Sequence, residues 1–154
     1  MIKITLDSCI LFDYLREDRK FHSNAKTIID SNIYKLFITE TVIKEIRDEN
    51  QSFRVDKLIK NKTIYLLKEP RMGTPIPTPI PMDLSHISVR RDNFIENQLI
   101  KRPGLKKYKI IKDFLIAEAH IRNNNDYILT NNLKDFCTNS DCKIITYSYF
   151  LEKE

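Results

Sequence analysis

Five short apolar runs, IKITL, KLFIT, TIYLL, DYILT and KIITY, are distributed along the chain with helical periodicity between them. Runs apolar on both faces suit strands covered by helices on either side, which is the condition of a parallel sheet. The alternation therefore predicts an α/β fold with a mostly parallel central sheet of about five strands flanked by helices. The first strand, Ile2 to Leu6, leads straight into a helix over Ser8 to Arg16, capped by Asp7 or Ser8, with Ile10, Leu11, Tyr14 and Leu15 at helical spacing. Ala25, Ile28 and Ile29 mark a second helix over Ser23 to Ser31. After KLFIT the chain turns helical from Thr39, and a short helix over Val55 to Lys60 precedes the third strand, Thr63 to Leu67.

With 154 residues, 42% of them hydrophobic, the chain can bury one core but hardly two, so residues 1–154 are expected to form one domain. Within it, TPIPTPIP sets prolines at 75, 77, 79 and 81, a pattern that neither a helix nor an interior strand accepts. Residues 68–83 are expected to be an extended, polyproline-like crossing segment. A helix resumes over Leu84 to Ile100 and stops at RPG; DFLIAEAHIR, apolar on nearly every side, is expected to open at Asp113 and to lie between the sheet and other helices. No window approaches the roughly 18 apolar residues of a membrane span, and the amino terminus lacks a secretory pattern, so the expectation is a cytoplasmic protein without membrane contact. Cys9, Cys137 and Cys142 are an odd set, and reduced thiols are favoured over a Cys137–Cys142 bridge or a metal site.

A formal net charge of +5 gives a mild attraction to polyanions. More telling is KRPGLKKYKIIK, which gathers Lys101, Arg102, Lys106, Lys107, Lys109 and Lys112 around Tyr108. Such a run is either a solvated loop or a surface that contacts phosphates.

In an open parallel sheet, chemistry collects beyond the carboxyl ends of the strands. Asp7 follows the first strand there, Glu45 sits at the margin of the buried arc of the helix after KLFIT, Asp113 opens the buried helix, and Asn132 follows DYILT. Asp7 and Asp113 could each be a helix cap, Glu45 a solvated helix residue and Asn132 part of a turn. Capping alone does not require acids to gather on one edge of one sheet. Gathered carboxylates at about 4 Å repel by about 4 kcal/mol per pair at an effective dielectric of about 20, so they need a proton or a cation. An oxygen-only set prefers a hard ion, Mg2+ or Mn2+, whose bound waters a carboxylate can align on a phosphate.

ITLDSCILFDYL, FITETVIKEI, KDFLIAEAHIRNNNDYILTNNLKDF and KIIT resemble, in order and spacing, the PIN-domain ribonucleases, especially VapC-type toxins of toxin-antitoxin pairs. The likeness runs from residue 2 to about 147. It implies a metal-dependent endoribonuclease with Asp7, Glu45 and Asp113 as catalytic and metal-binding acids, Glu40 being the lesser claimant to the second place. The fourth place, usually aspartate, is Asn132, a neutral ligand or water holder that weakens a second metal site. Asp135 could compensate; Glu118, five residues past Asp113, turns to another helix face. Ser8, Thr130 and Asn131 fall in water- or backbone-positioning places, and Lys106, Lys107, Lys109 and Lys112 would hold RNA. A small antitoxin protein and a homodimer are the implied partners. Three other functions stay open: a general RNA-processing nuclease, a PIN-like RNA-binding or protein-interaction module without catalysis, and a phosphoacceptor domain.

Overall fold

The computed structural model describes residues 1–48, 51–69, 83–134, 136 and 142–151. The chain runs β1 (Lys3–Leu6), α1 (Ser8–Leu15), α2 (His22–Asp30), β2 (Lys35–Thr39), α3 (Glu40–Asp48), α4 (Ser52–Lys60), β3 (Ile64–Leu67), α5 (Asp83–Lys101), α6 (Lys107–Arg122), β4 (Tyr127–Leu129), β5 (Ile144–Ile145) and α7 (Ser148–Leu151). The five strands form one sheet in the order β3-β2-β1-β4-β5, and every pairing is parallel. The α/β expectation holds, and the order reverses between β1 and β4. Crossover helices leave the sheet in opposite directions at that point, which opens a crevice between the two strand ends.

The core explains why the strands read as continuous apolar runs. Ile4, Leu6, Leu36, Ile38, Ile64, Ile128 and Leu129 are buried together with Ile10 and Leu11 of α1, Ile28 and Ile29 of α2, Val42 and Ile46 of α3 and Ile116 of α6. Local chemistry sets the helix starts. Asp7, extended at φ −75° and ψ 157°, accepts from Ser8 N–H and caps α1. Thr39 Oγ1 accepts from Val42 N–H at the start of α3. A second cap for α3 comes from 28 residues away: Glu69, just past β3, takes Thr41 N–H on Oε1 at 2.6 Å and the Thr41 hydroxyl on Oε2 at 2.8 Å. The polyproline-like segment expected at 68–83 lies, apart from Lys68, Glu69 and Asp83, outside the described residues, as do Asp135 and Cys137.

One boundary departs from the sequence reading. α6 begins at Lys107, six residues before Asp113, with Lys106 as its N-cap. Lysines at a helix start oppose the macrodipole and disguise it as a loop. Packing overrides them: Ile110 is buried against Ile95 of α5 in a small cluster of its own, and Phe114, one turn on, meets Phe94 with ring centroids 5.4 Å apart. Asp113 therefore lies within α6 and does not cap it, while Lys107, Tyr108, Lys109 and Lys112 belong to its first two turns. No described helix is long and apolar enough to cross a membrane.

α6 covers the face of β1 that carries Thr5. The Thr5 hydroxyl sits 3.1 Å from His120 Nδ1 and accepts from Asn125 Nδ2 at 2.9 Å, all three residues being buried. Burial pushes the His120 imidazole down to about 4, against a smaller opposing pull from Asp126. His120 is thus neutral when folded at neutral pH, its Nδ1 sharing a hydrogen bond with the Thr5 hydroxyl. Its folded pKa lies below its unfolded value of 6.5, so the stability it preserves is complete above pH 6.5 and is lost as pH falls towards 4. That window should cost roughly 3 kcal/mol. Urea denaturation of the parent and of His120→Asn, which keeps a hydrogen-bonding group near Thr5, should give a steeper acid loss in the parent; equal losses would exonerate His120.

Candidate active site at the switch point of the sheet

Register builds the first half of the site. Leu6 pairs with Leu129, and the ladder continues one step beyond β1 because Asp7 N–H donates to Leu129 O at 3.0 Å. Thr130 is fixed in turn by its N–H on Ile145 O at 3.0 Å. Asp7 and Thr130 therefore face each other across the crevice, and the Thr130 hydroxyl donates to Asp7 Oδ2 at 2.7 Å. Cys9 Sγ donates to the same oxygen at 3.3 Å. Oδ1 takes Ser8 N–H at 2.7 Å and the Ser8 hydroxyl at 3.4 Å. Only 5% exposed, Asp7 is held in one orientation by four donors. Burial, then the charge of Asp7, pushes the Cys9 thiol up to about 12, so it serves as a donor and not as a nucleophile.

The second half comes from α3 and α6, which pack together. Asp113 is 2% exposed on α6. Glu45 is half-buried on α3, whereas Glu40, the lesser claimant, is exposed in the first turn. Lys112 of α6 reaches α3, its Nζ donating to Glu45 Oε1 at 2.7 Å. Burial pulls the Lys112 ammonium down, but the hydrogen bond and charge of Glu45, joined by the charges of Asp7 and Asp113, more than offset it and hold the group above the usual lysine range. Glu45 thus pairs with Lys112 directly, while Asp7 and Asp113 act on the ammonium through their charge alone. Glu45 Oε2 is buried without a hydrogen-bond partner.

The other sequence candidates are distributed around this centre. Ser8 and Thr130 touch Asp7 directly. Asn132 is tied to the rim through its backbone, its N–H donating to Thr130 Oγ1 at 3.1 Å. Asn131 turns away: its side-chain amide donates to Asp13 Oδ2 at 2.6 Å. Lys106 and Lys109, with Arg102 and Tyr108, line an open cavity of about 460 Å³ at the α5–α6 turn, and Lys107 is exposed beside it. Glu118 is buried.

The donor chemistry around Lys112 is all oxygen, the class that takes a hard cation. The arrangement is not that of a metal cage, however: among the described residues no group of three His, Cys, Asp or Glu side chains could hold a metal ion. With Lys112 seated on Glu45, the positive charge at the centre is the lysine's own, and the residues as they stand do not fit a resident metal.

Sequence reasoning missed Asp13. Its carboxylate, 2% exposed on the inner face of α1, accepts from Arg19 Nε at 2.6 Å, Asn131 Nδ2 at 2.6 Å and Tyr147 Oη at 3.2 Å, while His22 Nδ1 donates to its carbonyl at 2.9 Å. Burial and then the Asp13 charge raise the Tyr147 hydroxyl. This hub binds the chain after β4 to α1 and so fixes the floor on which Thr130 stands. The signal was in the sequence, an aspartate at the inward spacing of an apolar helix in ILFDYL.

The fold is similar to a solved one. A chain of the crystal structure of VapBC2 from Rickettsia felis, bound to a DNA fragment from their promoter, superposes with a TM-score of 0.59 over 94% of this chain and 98% of that chain, at 13% sequence identity. The fold is PIN-like. No protein-family model matches the sequence, and no curated protein sequence matches it. The PIN-like fold therefore rests on three-dimensional likeness.

Asp13→Ala should cost about 3 kcal/mol, because buried donors lose a charged acceptor, while the half-exposed Arg19 contributes the least. Chemical denaturation measures it; a loss below about 0.5 kcal/mol, the scale of an ordinary surface change, would mean that Asp13 does not hold the floor of the crevice.

Proposed function

We propose that this chain is a metal-dependent endoribonuclease that hydrolyses RNA phosphodiester bonds as the toxin of a toxin-antitoxin pair. The reading is supported by the PIN-like sheet, with Asp7 buried at its switch point and Glu45 paired with Lys112, whose ammonium is held above the usual lysine range by the charges of Glu45, Asp7 and Asp113. Isolated helix caps have no reason to share a counter-charge. Mg2+ or Mn2+ is the ion such an activity calls for, but these residues as they stand do not fit it, and no step is assigned to it.

The chain's own residues supply the rest. Asp7 is held rigid by Ser8, Cys9 and Thr130, so its position is set before substrate arrives. Asn132, with a neutral amide where an acid would add charge, positions water. Lys106, Lys107 and Lys109 draw the RNA backbone to the start of α6, and Asp113 lies one to two turns further along the same helix. The similarity to a VapBC2 chain supports an antitoxin as protein partner; a homodimer belongs to the same proposal by family resemblance, and a cytoplasmic location by the sequence expectation.

A second reading is favoured by one observation. Lys112 already neutralises Glu45, which suits a PIN-like module that binds RNA or a protein and leaves the phosphodiester intact. A cleavage assay separates the two. On unstructured and structured RNA with Mn2+, the parent should cut, chelator should abolish cutting, and Asp113→Asn should slow it by about 10²-fold or more. Salt-sensitive RNA binding without cleavage in any divalent metal would establish the non-catalytic module instead. Matched melting curves for parent and variant guard against loss by unfolding.

A further inference from the structure

The turn between α5 and α6 is closed by its own backbone: Arg102 N–H donates to Gln98 O at 2.8 Å, and Leu105 N–H donates to Arg102 O at 3.0 Å. Beside it Arg102, Gly104, Leu105, Lys106, Tyr108 and Lys109 line the open cavity of about 460 Å³, with cations and no acid in its wall. Among the described residues neither Arg102 nor Lys106 pairs with a carboxylate, and Arg102 Nη1 is buried with no hydrogen-bond partner. A charged donor withheld from water and from any acceptor is costly, and an anion seated against it removes the cost. The start of α6 adds neutral donors. Lys106, its N-cap, makes no side-chain capping bond, and the N–H groups of Lys107 and Tyr108 have no partner among the described residues. Backbone donors at a helix start suit phosphate oxygens. Tyr108 is 69% exposed, its ring centroid 6.0 Å from Lys106 Nζ, so an aromatic face stands next to the cations.

We infer that this cavity seats one unpaired nucleotide, its phosphate on Arg102, Lys106 and the first amides of α6 and its base against the ring of Tyr108. The inference rests on the RNA-binding part of the proposed function and adds to it a single place and two residues, Arg102 and Tyr108. A solvated basic run would bind a polyanion by charge alone and take a duplex at least as readily, since a duplex carries the denser charge. An exposed ring adds an attraction that only an unstacked base can use. Asp113 lies six residues beyond Lys107, about 9 Å along the helix axis, so the seat is distinct from the crevice and shares a helix with its buried acid. Phosphate and base are the groups held, and the ribose hydroxyl is not among them. A deoxyribose strand, which a ribonuclease leaves intact, therefore reports on the seat.

The test is fluorescence anisotropy of a labelled thymidine oligodeoxynucleotide, titrated with the protein in chelator so that neither cleavage nor a metal enters the readout. Parent, Tyr108→Ala, Tyr108→Phe, Lys106→Gln and Arg102→Gln are compared, with Lys26→Gln, at an exposed lysine of α2, as the control for net charge. Tyr108→Ala should weaken binding about tenfold, the usual worth of one stacked base, while Tyr108→Phe should stay within about twofold of the parent. Lys106→Gln and Arg102→Gln should each lower the salt slope of log K by about 0.7, the value of one contact to a single strand, and Lys26→Gln should leave it unchanged. The parent should prefer the single strand over a duplex of the same length, and Tyr108→Ala should lose that preference. If Arg102→Gln fails to fold, the variants at Lys106 and Tyr108, both exposed, carry the comparison. Parent-like affinity in Tyr108→Ala, with the salt slope unaltered in Lys106→Gln, would overturn the seat and leave RNA binding standing at another surface. Displacement of the strand by an equal concentration of inorganic phosphate would overturn the nucleotide and leave a free-phosphate site. Absence of binding to either oligonucleotide at low salt in every protein would overturn the RNA-binding reading as well.

Discussion

The structure depends on one parallel pairing, that of β1 with β4. Its register sets Leu6 against Leu129, and a single further backbone bond, from Asp7 N–H to Leu129 O, carries the alignment past the end of the strand. A slip of one residue would turn every side chain of β1 to the opposite face, burying Thr5 where Leu6 belongs and removing Asp7 from Thr130. The same pairing is where strand order reverses, so the interaction that closes the core also opens the crevice. Stability and site are set by one constraint, and neither can be altered alone.

Around that pairing, polar groups are assigned to two distinct tasks. Asp13, with Arg19, Asn131 and Tyr147, is saturated with donors and serves as a fixed joint. Glu45 with Lys112 is of another kind: one carboxylate oxygen is paired with the ammonium and the other is buried with no hydrogen-bond partner. A fully satisfied buried network fixes geometry; an incompletely satisfied one keeps capacity for something not yet bound.

Much of this was legible in the sequence, for identifiable reasons. Strands apolar on both faces, joined by periodic segments, leave few alternatives to a parallel sheet, and KLFIT became β2 residue for residue. Asp7 could be placed because it follows its strand directly, and Glu45 because the buried arc of Val42, Ile43 and Ile46 fixes the rotation of α3. The start of α6 was hidden because its lysines read as a loop while the apolar contacts that fold them, Ile110 on Ile95 and Phe114 on Phe94, come from another helix. Lys112 read as one more cation in a basic run. Its partner is 67 residues away, and no local pattern announces such a pair. Asn131, grouped with the rim by its place in TNN, was diverted by Asp13, a residue whose inward spacing was visible and whose meaning was not.

The cap that Glu69 lays on Thr41 carries a mechanical implication. It fastens the exit of the edge strand β3 to the first turn of α3, the helix on whose second turn Glu45 rides. Tension or displacement applied to the chain just beyond Glu69 is therefore transmitted as a tug on α3, one helical turn from an acid of the rim. The sheet's outermost strand thus has a lever on its central cleft.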